Sequence, residues 1–302
     1  PLRIYINEEV CEGCGDCGLK SNCVSVLPLE TKFGRKRVID QSACNKDYSC
    51  VNGLCPSFVS VIGGKIRKNA TYFKQNDDWS YLPEPKLPEI NGTYNVVLAG
   101  VGGTGILTIG ALLGMAAHIE KKGVGILDMI GLAQKGGAVL SHLRIGNNPE
   151  DIHSPRITSQ GADLVIGCDL VVTGGQKTLS VIKPGHTKLV VNSYEMFTGD
   201  FTKNADLFFP SLKIKQTIQE IAGMENIEFL DASRLVTALI GDTIVANIFI
   251  LGFAFQRGLI PLEHSSIEQA IEINGMSVGE NKDAFLWGRR TAHDGKRVRE
   301  MT

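Results

Sequence analysis

The sequence is short of aromatic residues, at 7%, and shows no excess of either charge: 31 Lys and Arg face 32 Asp and Glu. A net charge of −1 gives no global reason to expect nucleic acid or an anionic membrane as partner. Long apolar runs are also missing. The longest, TIVANIFILGFAF (Thr243–Phe255), contains Asn247 and falls short of the about 20 residues that a bilayer-crossing helix needs. The six histidines show no zinc-ligand spacing. No signal-peptide pattern opens the chain, so a cytoplasmic protein with reduced thiols is expected. The chain starts at Pro1 rather than Met, which reads as a processed product or a piece of something longer. What is present is length and core: 302 residues, 43% hydrophobic, enough for about two domains.

The cysteines are unevenly spread. Seven of the eight precede residue 56: Cys11, Cys14, Cys17, Cys23, Cys44, Cys50 and Cys55. The eighth, Cys168 in ADLVIGCD, reads as a small buried hydrophobe. Zinc ribbons draw their ligands from two knuckles far apart. Three thiols at successive three-residue steps, Cys11, Cys14 and Cys17, instead suit one face of an iron–sulfur cubane. The fourth ligand of such a cluster is a distant cysteine followed by proline, here Cys55-Pro56. Gly13, Gly15 and Gly18 interleave with the thiols, allow tight bends and aim amide N–H groups at sulfur. A zinc-dependent interaction module is the competing reading, and it predicts a colourless protein.

With its second run, CNKDYSCVNGLCP, the segment resembles a bacterial two-cluster ferredoxin. The resemblance implies crossed ligation: Cys11, Cys14, Cys17 and Cys55 hold cluster 1, and Cys23, Cys44 and Cys50 hold cluster 2. Asp47 stands where the repeat wants a further cysteine, so cluster 2 is 4Fe–4S with Asp47 or 3Fe–4S without it. The alternative is a degenerate second site with Asp47 as a solvated turn residue. Three details depart from the pattern: wider Cys17–Cys23 and Cys50–Cys55 spacings, and Val24 where proline is usual. GRKRV (Gly34–Val38) reads as a solvated hairpin edge. Eight Lys and Arg against seven Asp and Glu through residue 65 make the segment neutral, which suits an internal wire better than a free carrier.

Three zones follow along the chain: a ferredoxin-like unit at 1–66, a polar proline-bearing linker at 67–93, and an α/β domain at 94–302. In the last, YNVVLAG, GVGILD, ADLVIGCD, TKLVVNS and IEFLDA read as strands. ILTIGALLGMAAHI, ASRLVTALI and TIVANIFILGFAFQRG read as helices. This alternation predicts a Rossmann-like open, mostly parallel sheet. Gly100-x-Gly102-x-x-Gly105 lies between a strand and a helix, with Asp128 ending the next strand. Alone, that pattern suits NAD or FAD. It supports an alternative function, an iron–sulfur ferredoxin–NAD(P) oxidoreductase using the Gly100–Gly105 loop.

The ordered set GVGGTGILT, GLAQKGGAVLSHLRIG, ADLVIGCD, VVNS and NIFILGFAFQRGLIP resembles the γ domain of 2-oxoacid:ferredoxin oxidoreductases, in the indolepyruvate branch. The resemblance implies oxidative decarboxylation of an arylpyruvate or related 2-oxoacid on thiamine diphosphate and Mg, with the acyl group passing to coenzyme A. Electrons would leave singly through the two clusters to an external ferredoxin. No GDG thiamine motif is found: GDF (Gly199–Phe201) and GDT (Gly241–Thr243) come nearest. The thiamine-binding domains are therefore expected on another chain or on sequence not included here, and no catalytic residue is assigned to this one. An oligomer is expected. Gly102, Gly103, Thr104 and Gly105 are candidates to meet a phosphate or the partner's thiamine region. Gln134, Lys135, Gly136 and Gly137 are candidates for a contacting loop, and Asn192 for a ligand contact at a strand end. Turn glycines, a solvated lysine and a strand-end cap are the plain alternatives. His142 is read as satisfying a buried hydrogen bond, His118 and His264 as surface residues.

Overall fold

The computed structural model describes residues 2–53, 55–64, 79, 82–131, 137–197, 204 and 206–302. The chain divides into two compact units: Pro1–Arg67 with Glu195–Pro210, and Lys68–Tyr194 with Ser211–Thr302.

The smaller unit repeats one plan. Strand β1 (Leu2–Ile6) leads through a cysteine loop and helix α1 (Asp16–Ser21) to β2 (Val26–Thr31). Strand β3 (Gly34–Ile39) leads through a second cysteine loop and a 3-10 turn (Ser49–Asn52) to β4 (Phe58–Ile62). β1 pairs antiparallel with β4, and β2 with β3. The buried core is small: Ile4, Val26, Ile39 and Cys50, flanked by Leu2, Ile6, Cys17, Cys23, Cys44, Tyr48, Val51 and Phe58. From the later segment, Arg35 donates through Nη1 to the Leu207 carbonyl at 3.0 Å and lies 4.6 Å from the centre of the Phe208 ring.

The larger unit is built on β5 (Thr93–Val101), α2 (Ile106–Ile119), β6 (Gly123–Ile130), β7 (Ala138–Gly146), β8 (Leu164–Gly167), α3 (Leu170–Thr173), α4 (Gln176–Leu179), β9 (Lys188–Asn192), α5 (Ser211–Ala222), β10 (Ile227–Leu230), α6 (Ala232–Leu239), α7 (Ala246–Gln256), α8 (His264–Asn274), α9 (Val278–His293) and α10 (Gly295–Glu300). Strand order is β10-β9-β8-β5-β7-β6. The β10–β9, β9–β8 and β8–β5 pairs are parallel, and β7 runs antiparallel to both β5 and β6. The expected open, mostly parallel sheet is thus present, preceded by the smaller antiparallel pairs. Residues 138–146, which are not among the strands expected from the sequence, form an inner strand. Ser141 and His142 break up its apolar run, yet both are buried. His142 accepts the Ile157 amide at Nδ1, 3.0 Å away, as its buried reading requires.

α2 approaches the sheet closely because Gly110 and Gly114 leave room: a Cβ at Gly114 would stand 2.6 Å from Ile126 Cδ1. α7 packs on β8, β9 and α2, and α9 covers α7. Every α7 residue from Ala246 to Phe255 is buried, so the helix needs no polar face. Two glycines let α7 and α9 touch backbone to backbone. A Cβ at Gly252 would meet the Phe285 carbonyl oxygen at 2.0 Å, and one at Gly288 the Phe249 carbonyl oxygen at 2.0 Å. No helix among the described residues is long and apolar enough to cross a membrane.

Part of the stretch read as a linker is laid along the larger unit. Gln256 donates to the Pro83 carbonyl at 2.6 Å, and Glu84 pairs with the buried Arg289 at 2.8 Å. Leu87 and Ile90 pack on the core. Proline extends this segment, but its apolar residues hold it down. His264, expected at the surface, is half-buried: its ring lies 5.7 Å from Phe285 and takes a contact from Arg289 at 2.9 Å.

Two outcomes test this packing. Gly288→Ala should cost about 3 kcal/mol or more in denaturant unfolding, because backbone blocks the new methyl. The second concerns pH. His142 and His264 are held below their ordinary value of 6.5, chiefly by burial, with Arg156 and Arg289 acting in the same direction. A lowered folded value means the neutral ring is favoured, so the stability it adds is present above 6.5 and is lost as the pH falls. Thermal midpoints should therefore drop from about pH 7.5 to about pH 5, less steeply in His142→Gln. Equal slopes would clear His142 of that role.

Candidate functional site

Strand pairing decides which thiols meet. Cys11 lies five residues beyond Ile6, and Cys55 three before Phe58; Ile6 and Phe58 are register partners. Cys44 lies five beyond Ile39, and Cys23 three before Val26, and these two are partners as well. The end of the β1–β4 pair therefore carries the first run together with Cys55. The end of the β2–β3 hairpin carries the second run together with Cys23. Asn7 ties the first group: its amide donates to the Ser57 carbonyl at 2.7 Å, and its own carbonyl accepts the Cys11 amide at 2.9 Å.

Electrostatics divide the sulfurs the same way. Burial pushes the Cys17 thiol up to about 11, and the neighbouring Cys11 and Cys14 add to the rise. The Cys50 thiol is pushed up by burial first, then by Cys23 and Cys44, with Asp47 in the same direction. Clustered, buried thiols resist ionisation at neutral pH, and a bound cation is what reverses that. Among the described residues, no three His, Cys, Asp or Glu side chains converge tightly enough for one metal ion. Thiolate is the donor type that iron–sulfur clusters take, so the chemistry of the cysteines suits them.

The loops turn on left-handed residues. Gly13 and Gly15 have φ of 75° and 80°, and the Gly13 amide points at Cys11 Sγ at 3.4 Å. A Cβ on Gly13 would sit 2.1 Å from the Arg35 carbonyl oxygen, so only glycine passes β3 here. In the second loop Lys46 and Tyr48 are left-handed, on either side of Asp47. The exposed Asp47 accepts from Asn45 Nδ2 at 3.1 Å, and from the Ser49 amide and hydroxyl at 3.0 and 2.8 Å. It acts here as a cap on the 3-10 turn, close to Cys50. Cys168 is buried, and its thiol is pushed far up by burial.

At the glycine loop the structure joins Gly102 to Gly137, whose carbonyl accepts the Gly102 amide at 2.8 Å. The Thr104 amide is used by Val101, and the Thr104 carbonyl accepts from Asn247 Nδ2. Gly103 and Gly105 take φ of 87° and 91°, and Gly103 has open space beside it. Gln134, Lys135 and Gly136 lie outside the described residues. Asn192 is 4% exposed and spends its amide inside the fold, donating to Cys168 O and Ser233 Oγ and accepting from the Tyr194 and Ala232 amides. These bonds tie the end of β9 to Cys168 and to the start of α6.

The dinucleotide reading also meets an obstacle. The strand after α2 is not the neighbour of β5, because β7 lies between. β6 runs on to Ile130, and Asp128 stands level with Ser141 and Leu98, short of Gly100. A ribose-binding acid belongs at the tip of an adjacent strand. Sequence reading passed over two residues: Asn247, visible as the one amide in an apolar run, and the buried Arg37, hidden in a basic hairpin.

Fold and site thus define an open α/β-sheet protein that carries a separate thiol-rich unit. Residues 95–291 match the family described as pyruvate ferredoxin/flavodoxin oxidoreductase, and the chain belongs to that family. It is a component of a 2-oxoacid:ferredoxin oxidoreductase. It is 27% identical over 204 residues to indolepyruvate oxidoreductase subunit IorB of Thermococcus kodakarensis, covering 67% of this chain and 96% of that protein. IorB of Archaeoglobus fulgidus is 25% identical over 206 residues, with coverage of 67% and 96%. Among solved structures, pyruvate oxidoreductase subunit PORC of Thermotoga maritima matches at TM-score 0.48 and 19% identity, over 66% of this chain and 96% of that one. The 2-oxoglutarate:ferredoxin oxidoreductase of Magnetococcus marinus matches at TM-score 0.48 and 17% identity, over 67% of this chain and 31% of that one. The cysteine-rich segment precedes the family match.

Gly13→Ala should lower the iron bound by anaerobically reconstituted protein, since the loop cannot pass β3 with a methyl in place. Elemental analysis against wild type checks this, and full iron content in the variant would remove the steric argument.

Proposed function

We propose that this chain is the electron-exit and γ portion of an indolepyruvate-type 2-oxoacid:ferredoxin oxidoreductase. The observation that carries the proposal is the sorting of seven thiols into two groups by strand pairing, in a chain whose larger unit belongs to the oxidoreductase family. The IorB names of the relatives support the arylpyruvate substrate class. Cys11, Cys14, Cys17 and Cys55 would hold cluster 1. Cys23, Cys44 and Cys50 would hold cluster 2, with Asp47 beside it. A bound cluster supplies one-electron storage. The chain's own part is to hold the sulfurs, shield them and aim amides at them.

Thiamine diphosphate, Mg and the decarboxylation belong, in this reading, to partner domains on another chain or further sequence. Coenzyme A takes the acyl group, and an external ferredoxin takes the electrons. The Gly102–Gly105 loop, with Gly137 bonded to it, is the surface proposed to meet the thiamine-bearing partner. The two units serve as a ferredoxin-like domain and a γ domain within a larger, cytoplasmic assembly.

Material prepared without air should contain iron and acid-labile sulfide, and with its thiamine-bearing partner should reduce ferredoxin on addition of an arylpyruvate. Colourless, zinc-loaded protein would overturn the reading. Asp47→Cys should convert a 3Fe–4S or labile electron paramagnetic resonance signal into a stable 4Fe–4S one. An unchanged spectrum and iron count would show that Asp47 holds no ligand position and only caps its turn.

A further inference from the structure

We propose that Lys36 is a positioning residue for the first sulfur group: its ammonium latches the loop bearing Cys11 and Cys14 onto β3. The inference rests on the iron–sulfur reading above. GRKRV is no solvated edge. Arg37 is 3% exposed, and Lys36 is half-buried in the middle of the strand, opposite Leu29. β3 is the wall along which the first cysteine loop runs. A Cβ on Gly13 would abut the Arg35 carbonyl and lie 3.9 Å from Lys36 Cα. Beside this crossing, Lys36 Nζ donates to the Cys11 carbonyl at 2.5 Å.

The loop has few other ties. The Cys11 amide turns back to the Asn7 carbonyl, and the Gly15 carbonyl accepts the first amides of α1. Residues 12–14 make no backbone–backbone hydrogen bond among the described residues. Among the same residues, Lys36 is the one side chain from another element that hydrogen-bonds residues 11–15, and the Cys11 carbonyl is the one acceptor its ammonium has. A charged donor makes a hydrogen bond about twice as strong as a neutral one. A single bond of this kind therefore does most of the work of holding the loop to the strand.

The second loop is latched the other way round. The Tyr48 hydroxyl donates to the Leu2 carbonyl at 3.0 Å, and Gln41 Nε2 donates to the Ile4 carbonyl at 2.7 Å, both on β1. Each loop is thus held by the strand that launches the other, the first through one ammonium and the second through two neutral groups. Losing Lys36 frees the stretch bearing Cys11 and Cys14 and leaves the ties of the second loop intact. Groups that bond to a ligand-bearing loop set how firmly its ligands stay together. A freed first loop would therefore release the first cluster sooner than the second.

Two measurements on the full chain test this. The first is amide hydrogen exchange of the metal-free protein, read by nuclear magnetic resonance, for wild type and Lys36→Met. The Cys11 amide, bonded to Asn7, should exchange about tenfold faster in the variant. The Val51 amide, bonded to Tyr48, should keep its wild-type rate. The second is iron release to a chelator from anaerobically reconstituted protein. Lys36→Met should split the release into a fast phase and a phase at the wild-type rate, and Lys36→Arg, which keeps a charged donor, should slow the fast phase. Should Lys36→Met take up too little iron, Lys36→Gln against Lys36→Arg makes the same comparison. An unchanged Cys11 amide, equal acceleration of both amides, or iron release that is unchanged or uniformly faster overturns the proposal. Wild-type protein that takes up no iron would sink the iron–sulfur reading itself, a distinct result.

Discussion

Packing cysteine sulfur into a very small core is the constraint on which the smaller unit depends. Four buried residues make its core, and one of them, Cys50, is itself a thiol. So small a core supplies little folding energy, and small domains of this kind are commonly completed by a metal. The Cys17 and Cys50 thiols hold their protons because burial first, and neighbouring cysteines after it, disfavour the thiolate. The same arrangement that makes ionisation costly without a cation makes it favourable with one. In the function proposed above, folding and cluster binding are linked through the ends of two strand pairs.

The larger unit solves a different problem, that of seating an entirely apolar helix. α7 is enclosed by the sheet, α2 and α9, and it reaches α9 through the reciprocal glycine contacts at Gly252 and Gly288. Its buried amide, Asn247, is spent on the Thr104 carbonyl, so the buried helix and the glycine loop hold one another in place. The loop is therefore shaped from inside the core. Two of its amides, at Gly102 and Thr104, already have partners in the fold.

Much of this was legible in the sequence. The strand and helix runs of the larger unit fall where apolar pattern placed them, with ILTIGALLGMAAHI matching α2 residue for residue. Polarity misled at three places. Ser141 and His142 disguised β7, because a strand buried on both faces usually reads as unbroken apolar sequence. Arg37 looked solvated, since arginine is almost never buried without a partner. His264 gave no local sign of the two phenylalanine rings that enclose it. Strand order was the deeper gap. Local pattern announces strands but not neighbours, so the antiparallel β7 between β5 and β6 emerged only in three dimensions, and with it the weakness of the dinucleotide reading.

The segment Glu195–Pro210 clusters with the smaller unit although it interrupts the sequence of the larger one. The polypeptide therefore enters the thiol-bearing unit twice. No single cut of the backbone can release that unit whole, because a fragment ending near residue 67 leaves behind the stretch that caps Arg35. Three crossings of the backbone, at 67–68, 194–195 and 210–211, therefore join the sulfur-carrying part to its α/β host, where a simple appended domain would need one.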